Sequence, residues 1–235
     1  MKNCESPVSG NTGNAQLRGK DSNSVHTFGV SNYDEYWRAR GMHKSPREAH
    51  RRMEAALLKL RPPPARVLEL GPGPGHLFAL LQTAGYDMYA VDASKTAIEC
   101  LKAPPNQLRL ADLNDGLPDF GVRFQAIIGA MVLHHITEPG AFLARLRTTL
   151  EPGGFLILTI PNIITLRNRL RFLAGKFPKL SASHRNFMTP HEATELLRQS
   201  GFNVLQRLSA RRKFLNATIP ILFSNELALI CRTAL

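Results

Sequence analysis

Few cysteines, little aromatic surface, no long apolar run and, over one long stretch, no acid at all mark this sequence of 235 residues. Three cysteines, Cys4, Cys100 and Cys231, are too few and too scattered for a disulfide framework or a Cys-based zinc site, which predicts reduced thiols. No segment approaches the roughly 18 apolar residues of a membrane span, and the opening MKNCESPVSGNTGN lacks the apolar core of a secretion signal. A cytoplasmic protein is therefore expected. At 43% hydrophobic and 20% charged residues the composition is that of a globular chain, and its length suits one large domain or a domain with appendages.

Charge is in excess rather than short supply, at a formal +12. Its distribution is uneven. Residues 1–60 hold 10 basic and 6 acidic side chains, residues 61–151 hold 8 and 9, and residues 152–235 hold 12 and 3. The middle is neutral and the flanks are basic, so the excess bears on the flanks alone.

Residues 1–30 are rich in Ser, Asn and Gly without periodicity, and are expected to be a mobile tail preceding a domain over 31–235. Ser45 with Glu48 three residues on, and Pro46 between them, predict a capping box opening a helix that runs to Leu60. From Arg66 short β-rich runs alternate with helical segments: strands over Val67–Leu70, Met88–Val91, Leu108–Leu110, Phe124–Ile128 and Phe155–Ile160, and helices over His76–Ala84, Ser94–Lys102 and Gly140–Leu150. The last of these is expected to stop at Pro152-Gly153-Gly154. Near-continuous apolar strands in such alternation predict a parallel sheet covered by helices on both faces. Residues 161–185 read as a basic amphipathic insertion, Thr189 and Glu192 as a second capping box, and Asn203–Leu208 with Leu227–Cys231 as a hairpin at the sheet edge.

The most informative stretch is Val67-Leu-Glu-Leu-Gly71-Pro-Gly73-Pro-Gly75-His76, a strand running into a glycine loop that opens a helix. Such a loop brings backbone close to a ligand, but the glycine spacing departs from the GxGxxG that suits a pyrophosphate. Three acids surround it. Asp92 ends the second strand, where a carboxylate can meet a ribose diol; Asp112 follows the third, where one can meet an adenine amine; Glu69 precedes the loop. That set suits an adenosine ligand bearing an amine and a positive charge, and would repel pyrophosphate. Helix capping is the alternative role for Asp92, and turn formation within LNDG the alternative for Asp112.

ELGPGPG, VDAS, LADL, GAMVLHHI and LEPGGFLILTIPN resemble, in order and spacing, the motifs of class I S-adenosylmethionine-dependent methyltransferases, and among them the ubiquinone-biosynthesis O-methyltransferase type. The resemblance covers roughly Tyr33 to Leu235. It implies an α/β, doubly wound, seven-stranded, mostly parallel Rossmann-like sheet with an antiparallel last strand. It implies S-adenosyl-L-methionine as cofactor, with Gly71, Gly73 and Gly75 along its methionine part, Glu69 supporting the loop or the amino group, Asp92 at the ribose, and Asp112 with Leu113 at the adenine. Tyr33–Arg40, with the single Trp37, resembles the family's N-terminal lid.

His134 and His135 follow the fourth strand, where donor and acceptor meet, and are the candidate general bases for a small-molecule acceptor at oxygen; a buried structural role is the alternative for either. No carboxylate lies within GAMVLHH, so no metal site is expected. The Asn/Asp-Pro-Pro-aromatic motif of amino-methylating nucleic-acid enzymes is missing there, and so is a Pro-Cys nucleophile. The basic insertion, with Arg167, Arg169, Arg171, Lys176 and Lys179 among apolar residues, reads either as a helix packing its apolar face on the domain or as a surface for an anionic membrane or anionic acceptor. An RNA-tracking face extended by Arg207, Arg211, Arg212 and Lys213 stays open, as does a second function class, a membrane- or RNA-associated cofactor-binding protein of weak or no catalytic activity. No feature sets an oligomeric state.

Overall fold

The computed structural model describes residues 33–40, 47–176, 184–209 and 219–234. The tail over 1–30, the capping pair Ser45 and Pro46, Lys179, and Arg211 to Lys213 lie outside the described residues.

The chain runs α1 (Tyr33–Arg40), α2 (Glu48–Leu60), β1 (Arg66–Leu70), α3 (His76–Thr83), β2 (Asp87–Asp92), α4 (Lys95–Cys100), β3 (Leu108–Leu110), β4 (Phe124–Ala130), α5 (Pro139–Thr149), β5 (Leu150–Pro161), α6 (Leu166–Leu173), α7 (Pro190–Gln199), β6 (Phe202–Ser209), α8 (Pro220–Phe223) and β7 (Glu226–Thr233). The strands form one seven-stranded sheet ordered β3-β2-β1-β4-β5-β7-β6. Pairing is parallel from β3 to β5, and β7 runs antiparallel between β5 and β6. The expected doubly wound architecture and edge hairpin are both present.

Alternation along β1 sorts the core. Leu68 and Leu70 face a cluster with Val91, Ile127, Leu158 and Phe142 of α5, while Val67 faces the other, with Met53 and Leu57 of α2 and Phe78 of α3. Both faces are covered, which is why the central strands read as largely apolar runs. Glu69, two residues after Val67 in β1, falls on the α2–α3 side and is buried there. The strand carries a carboxylate into the apolar layer beneath the second helix.

Several boundaries differ from expectation for local reasons. Helix α2 starts at Glu48, with Arg47 as N-cap in extended conformation and no side-chain cap hydrogen bond; the predicted Ser45–Glu48 capping box falls on Ser45, outside the described residues. Pro152-Gly153-Gly154 does not separate α5 from the next strand: β5 begins at Leu150 and absorbs the triplet, with Gly153 at φ 73 and a register shift against β4 between Phe124 and Ala126. Ser94 caps α4 by accepting a hydrogen bond from the Ala97 N–H, and Thr189 with Glu192 forms the full capping box of α7, both as expected. Helix α6 has no buried residue; Leu170 is 58% and Leu173 85% exposed, so it does not pack an apolar face on the domain. Among the described residues no helix is long and apolar enough to cross a membrane.

Candidate functional site

The C-terminal ends of β1, β2, β3 and β4 open into one cavity of about 360 Å³. That is within the range of small-molecule sites, and strand ends near the switch in sheet order are where α/β folds bind ligands. Glu69, Gly71, Asp92, Asp112, Leu113, His134 and His135 all line it. Gly73 and Gly75 turn the loop without lining it.

The loop is held from below. Asp92 is buried, and its Oδ2 accepts from the Gly73 N–H at 3.0 Å while Oδ1 accepts from the Ser94 N–H at 2.8 Å. Burial raises its pKa, and the hydrogen bonds from the Ser94 and Gly73 backbones work against that shift. Asp92 thus ties β2 to the glycine loop, and it does so through backbone amides rather than by capping α4, which Ser94 does. Gly73 sits at φ 51, and a Cβ there would lie 2.4 Å from the Trp37 ring. Only glycine allows the α1 lid to close on the loop. Asp34 on the same helix accepts from Ser94 Oγ and from the Thr96 N–H, fixing α1 to the start of α4.

Glu69 is fully enclosed. Burial, with the nearby Asp92 carboxylate second, pushes its pKa up to about 8, and its Oε2 has no hydrogen-bond partner. The same cavity is lined by residues that no motif announced. Arg47 at the start of α2 donates to His50 Nε2 at 3.3 Å and pairs with Glu226 Oε2 at 3.4 Å. Burial, then Arg47 and His76, lower the His50 pKa to about 4; burial and Arg47 also lower His76. Both imidazoles are neutral at pH 7, and His50 Nδ1 and His76 Nε2 lack partners. The helical spacing of Arg47 and His50, three apart, is visible in the sequence, but nothing there says which face turns inward.

Asp112 Oδ1 accepts from both the backbone and side-chain nitrogens of Asn114 at 2.9 Å, so the turn role is real alongside its place in the cavity. Asn114 Oδ1 in turn accepts from the Thr137 N–H at 2.8 Å, coupling this corner to the opposite end.

That other end is built from histidine. His134 and His135 lie on a 3₁₀ turn, Leu133–His135, just beyond β4, with ring centroids 4.2 Å apart. His184, which the sequence reading missed, lies 4.2 Å from His134, nearly edge-on. Its neighbours are stitched down: the Arg185 and Asn186 N–H groups donate to the His134 carbonyl at 2.8 and 3.1 Å, and Asn186 Nδ2 donates to the Ile136 carbonyl. His134 is buried, and burial followed by its two imidazole neighbours lowers its pKa to about 2. It cannot hold a proton at neutral pH. His135 is half-buried, and Tyr33 of the lid meets it edge-on at 6.4 Å. Met131 adopts φ 62, rare for a non-glycine residue, and its N–H donates to Thr159 Oγ1 at 3.0 Å. This accounts for the lone hydroxyl in the apolar stretch Phe155–Ile160 of β5. Among the described residues no cluster of His, Cys, Asp or Glu has a metal-binding arrangement.

The glycine loop, the buried carboxylates and a cavity of this size fit an S-adenosyl ligand: a partnerless Glu69 oxygen offers a place for an amine, and Asp92 and Asp112 supply negative charge along the strand ends.

Comparison with known proteins places the chain further. The methyltransferase domain family matches residues 40–207. The ubiquinone biosynthesis O-methyltransferase of Cereibacter sphaeroides is 28% identical over 152 residues, 60% of this chain and 62% of that protein. A probable S-adenosylmethionine-dependent methyltransferase of Mycolicibacterium smegmatis is 28% identical over 141 residues, covering 59% of this chain and 52% of that protein. The chain thus aligns with less than two thirds of the length of these relatives. Among solved structures, magnesium protoporphyrin IX methyltransferase from Synechocystis with bound SAH superposes with a TM-score of 0.62 at 18% identity, covering 86% of this chain and 96% of that one. The 1,6-didemethyltoxoflavin-N1-methyltransferase of Burkholderia thailandensis, with its acceptor and S-adenosylhomocysteine bound, gives 0.57 at 19% identity, covering 87% and 84%. At such identities these two likenesses speak for the fold.

Proposed function

The chain belongs to the class I S-adenosylmethionine-dependent methyltransferases, and from that premise we propose that it moves a methyl group from S-adenosylmethionine to an oxygen of a small-molecule acceptor. The observation carrying this reading is a single cavity with buried carboxylates under a glycine loop at one end and three imidazoles at the other. The name of one relative, an O-methyltransferase of ubiquinone biosynthesis, supports a small acceptor methylated at oxygen.

S-adenosylmethionine supplies a methyl group already activated on a sulfonium, so near-attack positioning accounts for most of the catalysis, roughly 7–11 kcal/mol. Asp92 accepts from the ribose hydroxyls, Asp112 and Leu113 hold the adenine, and Gly71, Gly73 and Gly75 shape the strand-to-helix turn along the methionine part. Glu69 supports the loop or the amino group. The lid closes over the site through Trp37 on Gly73 and Tyr33 beside His135, excluding water. His135 takes the acceptor's hydroxyl proton, and His134, held neutral by burial, orients it. The buried thiol of Cys231 fits a reducing, cytoplasmic setting.

Calorimetry tests the reading. S-adenosylmethionine and S-adenosylhomocysteine are both expected to bind, and no heat with either at millimolar ligand removes it.

We further propose that α6 rests on an anionic membrane surface. It carries Arg167, Arg169 and Arg171 on a helix whose Leu170 and Leu173 face solvent, with Ile219 and Ile221 of the neighbouring α8 region also exposed. Flotation with phosphatidylglycerol vesicles but not phosphatidylcholine vesicles is expected. Equal flotation after charge reversal of the three arginines retires this attachment.

A further inference from the structure

The turn that carries the proposed base is too short to hold itself. Leu133–His135 is a single 3₁₀ turn shortly after the left-handed Met131. Within it the His135 N–H donates to the Val132 carbonyl at 2.8 Å and the Ile136 N–H to the Leu133 carbonyl at 3.2 Å. The carbonyls of His134, His135 and Ile136 must find their donors elsewhere.

They find them on two distant segments, each acting through an asparagine. From the loop after β3, Asn114 Oδ1 accepts from the Thr137 N–H at 2.8 Å, while its Nδ2 donates to Asp112 Oδ1 at 2.9 Å and to the His135 carbonyl at 3.4 Å. From the segment before α7, Asn186 Nδ2 donates to the Ile136 carbonyl, and the Arg185 and Asn186 N–H groups donate to the His134 carbonyl at 2.8 and 3.1 Å. Arg185 Nη1 donates to Thr137 Oγ1 at 3.0 Å. Four successive residues, 134–137, are thus gripped by groups that lie 21 to 50 positions away in the chain. The ring this places is His135, which lines the cavity between His134 and Tyr33, with ring centroids 4.2 and 6.4 Å away. A general base must lie within hydrogen-bond reach of the proton it takes, and a misplacement of about 1 Å can cost about a hundredfold in rate.

We infer that Asn114 and Asn186 are positioning residues for methyl transfer: together they hold the 134–137 turn so that the His135 ring stays within reach of the acceptor's hydroxyl. The inference rests on the reading of His135 as the group that takes the acceptor's proton, and adds the two side chains through which the fold delivers it. They act through the turn and not on the reacting atoms. Asn114 has a second attachment, because the same amide donates to Asp112, so one side chain ties the corner that holds the adenine to the corner that holds the base. Asn186 grips the turn from the α7 side.

Transfer of labelled methyl from saturating S-adenosylmethionine into the small-molecule fraction of a cell extract reads the rate. Calorimetry with S-adenosylhomocysteine reads the cofactor site and shows that each variant is folded. Asn186→Ala and Asn186→Asp, the second isosteric but without the amide donor, are expected to slow transfer by about tenfold to a hundredfold and to keep S-adenosylhomocysteine affinity within about twofold. Asn114→Ala, which also releases Asp112, is expected to lower the rate further than the affinity. The decisive arm repeats the three substitutions in His135→Asn. With no base left to place, each is expected to change the remaining rate by no more than about twofold, whereas a purely structural role slows both backgrounds alike. Equal losses in the two backgrounds overturn the inference, as do wild-type rates in both Asn186 variants, or losses of rate matched throughout by losses of affinity. If His135→Asn transfers label as fast as the wild-type protein, the reading of His135 as the base falls instead, and a wild-type protein that binds no S-adenosylhomocysteine removes the S-adenosyl reading beneath both.

Discussion

The two ends of the cavity are assembled in opposite ways. At the glycine-loop end the groups come from consecutive strand tips: Glu69 to His76 after β1, Asp92 at the end of β2, Asp112 after β3. Each is placed by a short segment and a local turn. At the histidine end the groups come from distant parts of the chain, Tyr33 on α1, His134 and His135 after β4, and His184 just before α7, and they meet only because the sheet brings them together. The geometry of the first end is set by the parallel sheet itself. The second is where a fold of this kind is free to choose an acceptor.

The two ends also titrate in opposite directions. Glu69 has a folded pKa of about 8 against an ordinary 4.5, so its contribution to stability is full below pH 4.5 and is lost as pH rises through 8. His134, at about 2 against 6.5, contributes stability that is full above pH 6.5 and lost as pH falls toward 2. A pocket without ligand is thus strained on its glycine side by base and on its histidine side by acid.

The sharpest way to separate the ends is His135→Asn. It should lower turnover by about 10²- to 10⁴-fold through loss of the base and leave S-adenosylhomocysteine affinity within about twofold, read by methyl-transfer kinetics and calorimetry. A fall in cofactor affinity of the same size would merge the two ends into one. Gly73→Val should weaken S-adenosylhomocysteine on the order of a hundredfold, because it places a branched side chain at φ 51 and into the Trp37 ring. Adding Trp37→Ala should recover part of that loss, and no recovery would show that backbone strain acts without the lid. Asp92→Ala should cost about 1.5–3 kcal/mol of the same affinity. Unchanged binding would leave Asp92 with only its tie to Gly73 and Ser94. The smallest effects are in pH profiles of urea unfolding. Glu69→Gln should remove a decline of about 1 kcal/mol per pH unit between pH 5 and 8, and His134→Asn should flatten the acid limb below 6.5. Parallel profiles for wild type and either variant would contradict the assignment of that limb.

What was legible in the sequence follows the same division. Strands β1, β2, β4 and β5 announce themselves through largely apolar runs, and the Ser94 and Thr189 caps through side chains acting on backbone three residues away. The glycine loop with Asp92 and Asp112 was readable because strand-tip residues recur at nearly fixed separation in parallel α/β units. Local signals failed where tertiary pairing won. Pro152-Gly153-Gly154 reads as a terminator, yet pairing with β4 and β7 carries β5 straight through it. His184 gave no signal, because its place depends on backbone hydrogen bonds to a carbonyl some fifty positions earlier. Arg47 and His50 gave none either, since which face of α2 turns inward is set by Met53 and Leu57 packing on β1. Thr159, a hydroxyl within the apolar Phe155–Ile160 run, accepts from the N–H of Met131 in its left-handed conformation, a tertiary role with no local signal.

If this cavity moves methyl groups to small molecules, the acceptor fraction that gains label reveals it. The most direct measurement is transfer of labelled methyl from S-adenosylmethionine into a mixed extract containing metabolites, RNA and protein, with the wild-type chain and Asp92→Ala run side by side. The account predicts label in the small-molecule fraction with wild type and strongly reduced label with the variant. Label confined to RNA or protein, or no transfer by wild-type protein that binds the cofactor, would contradict it.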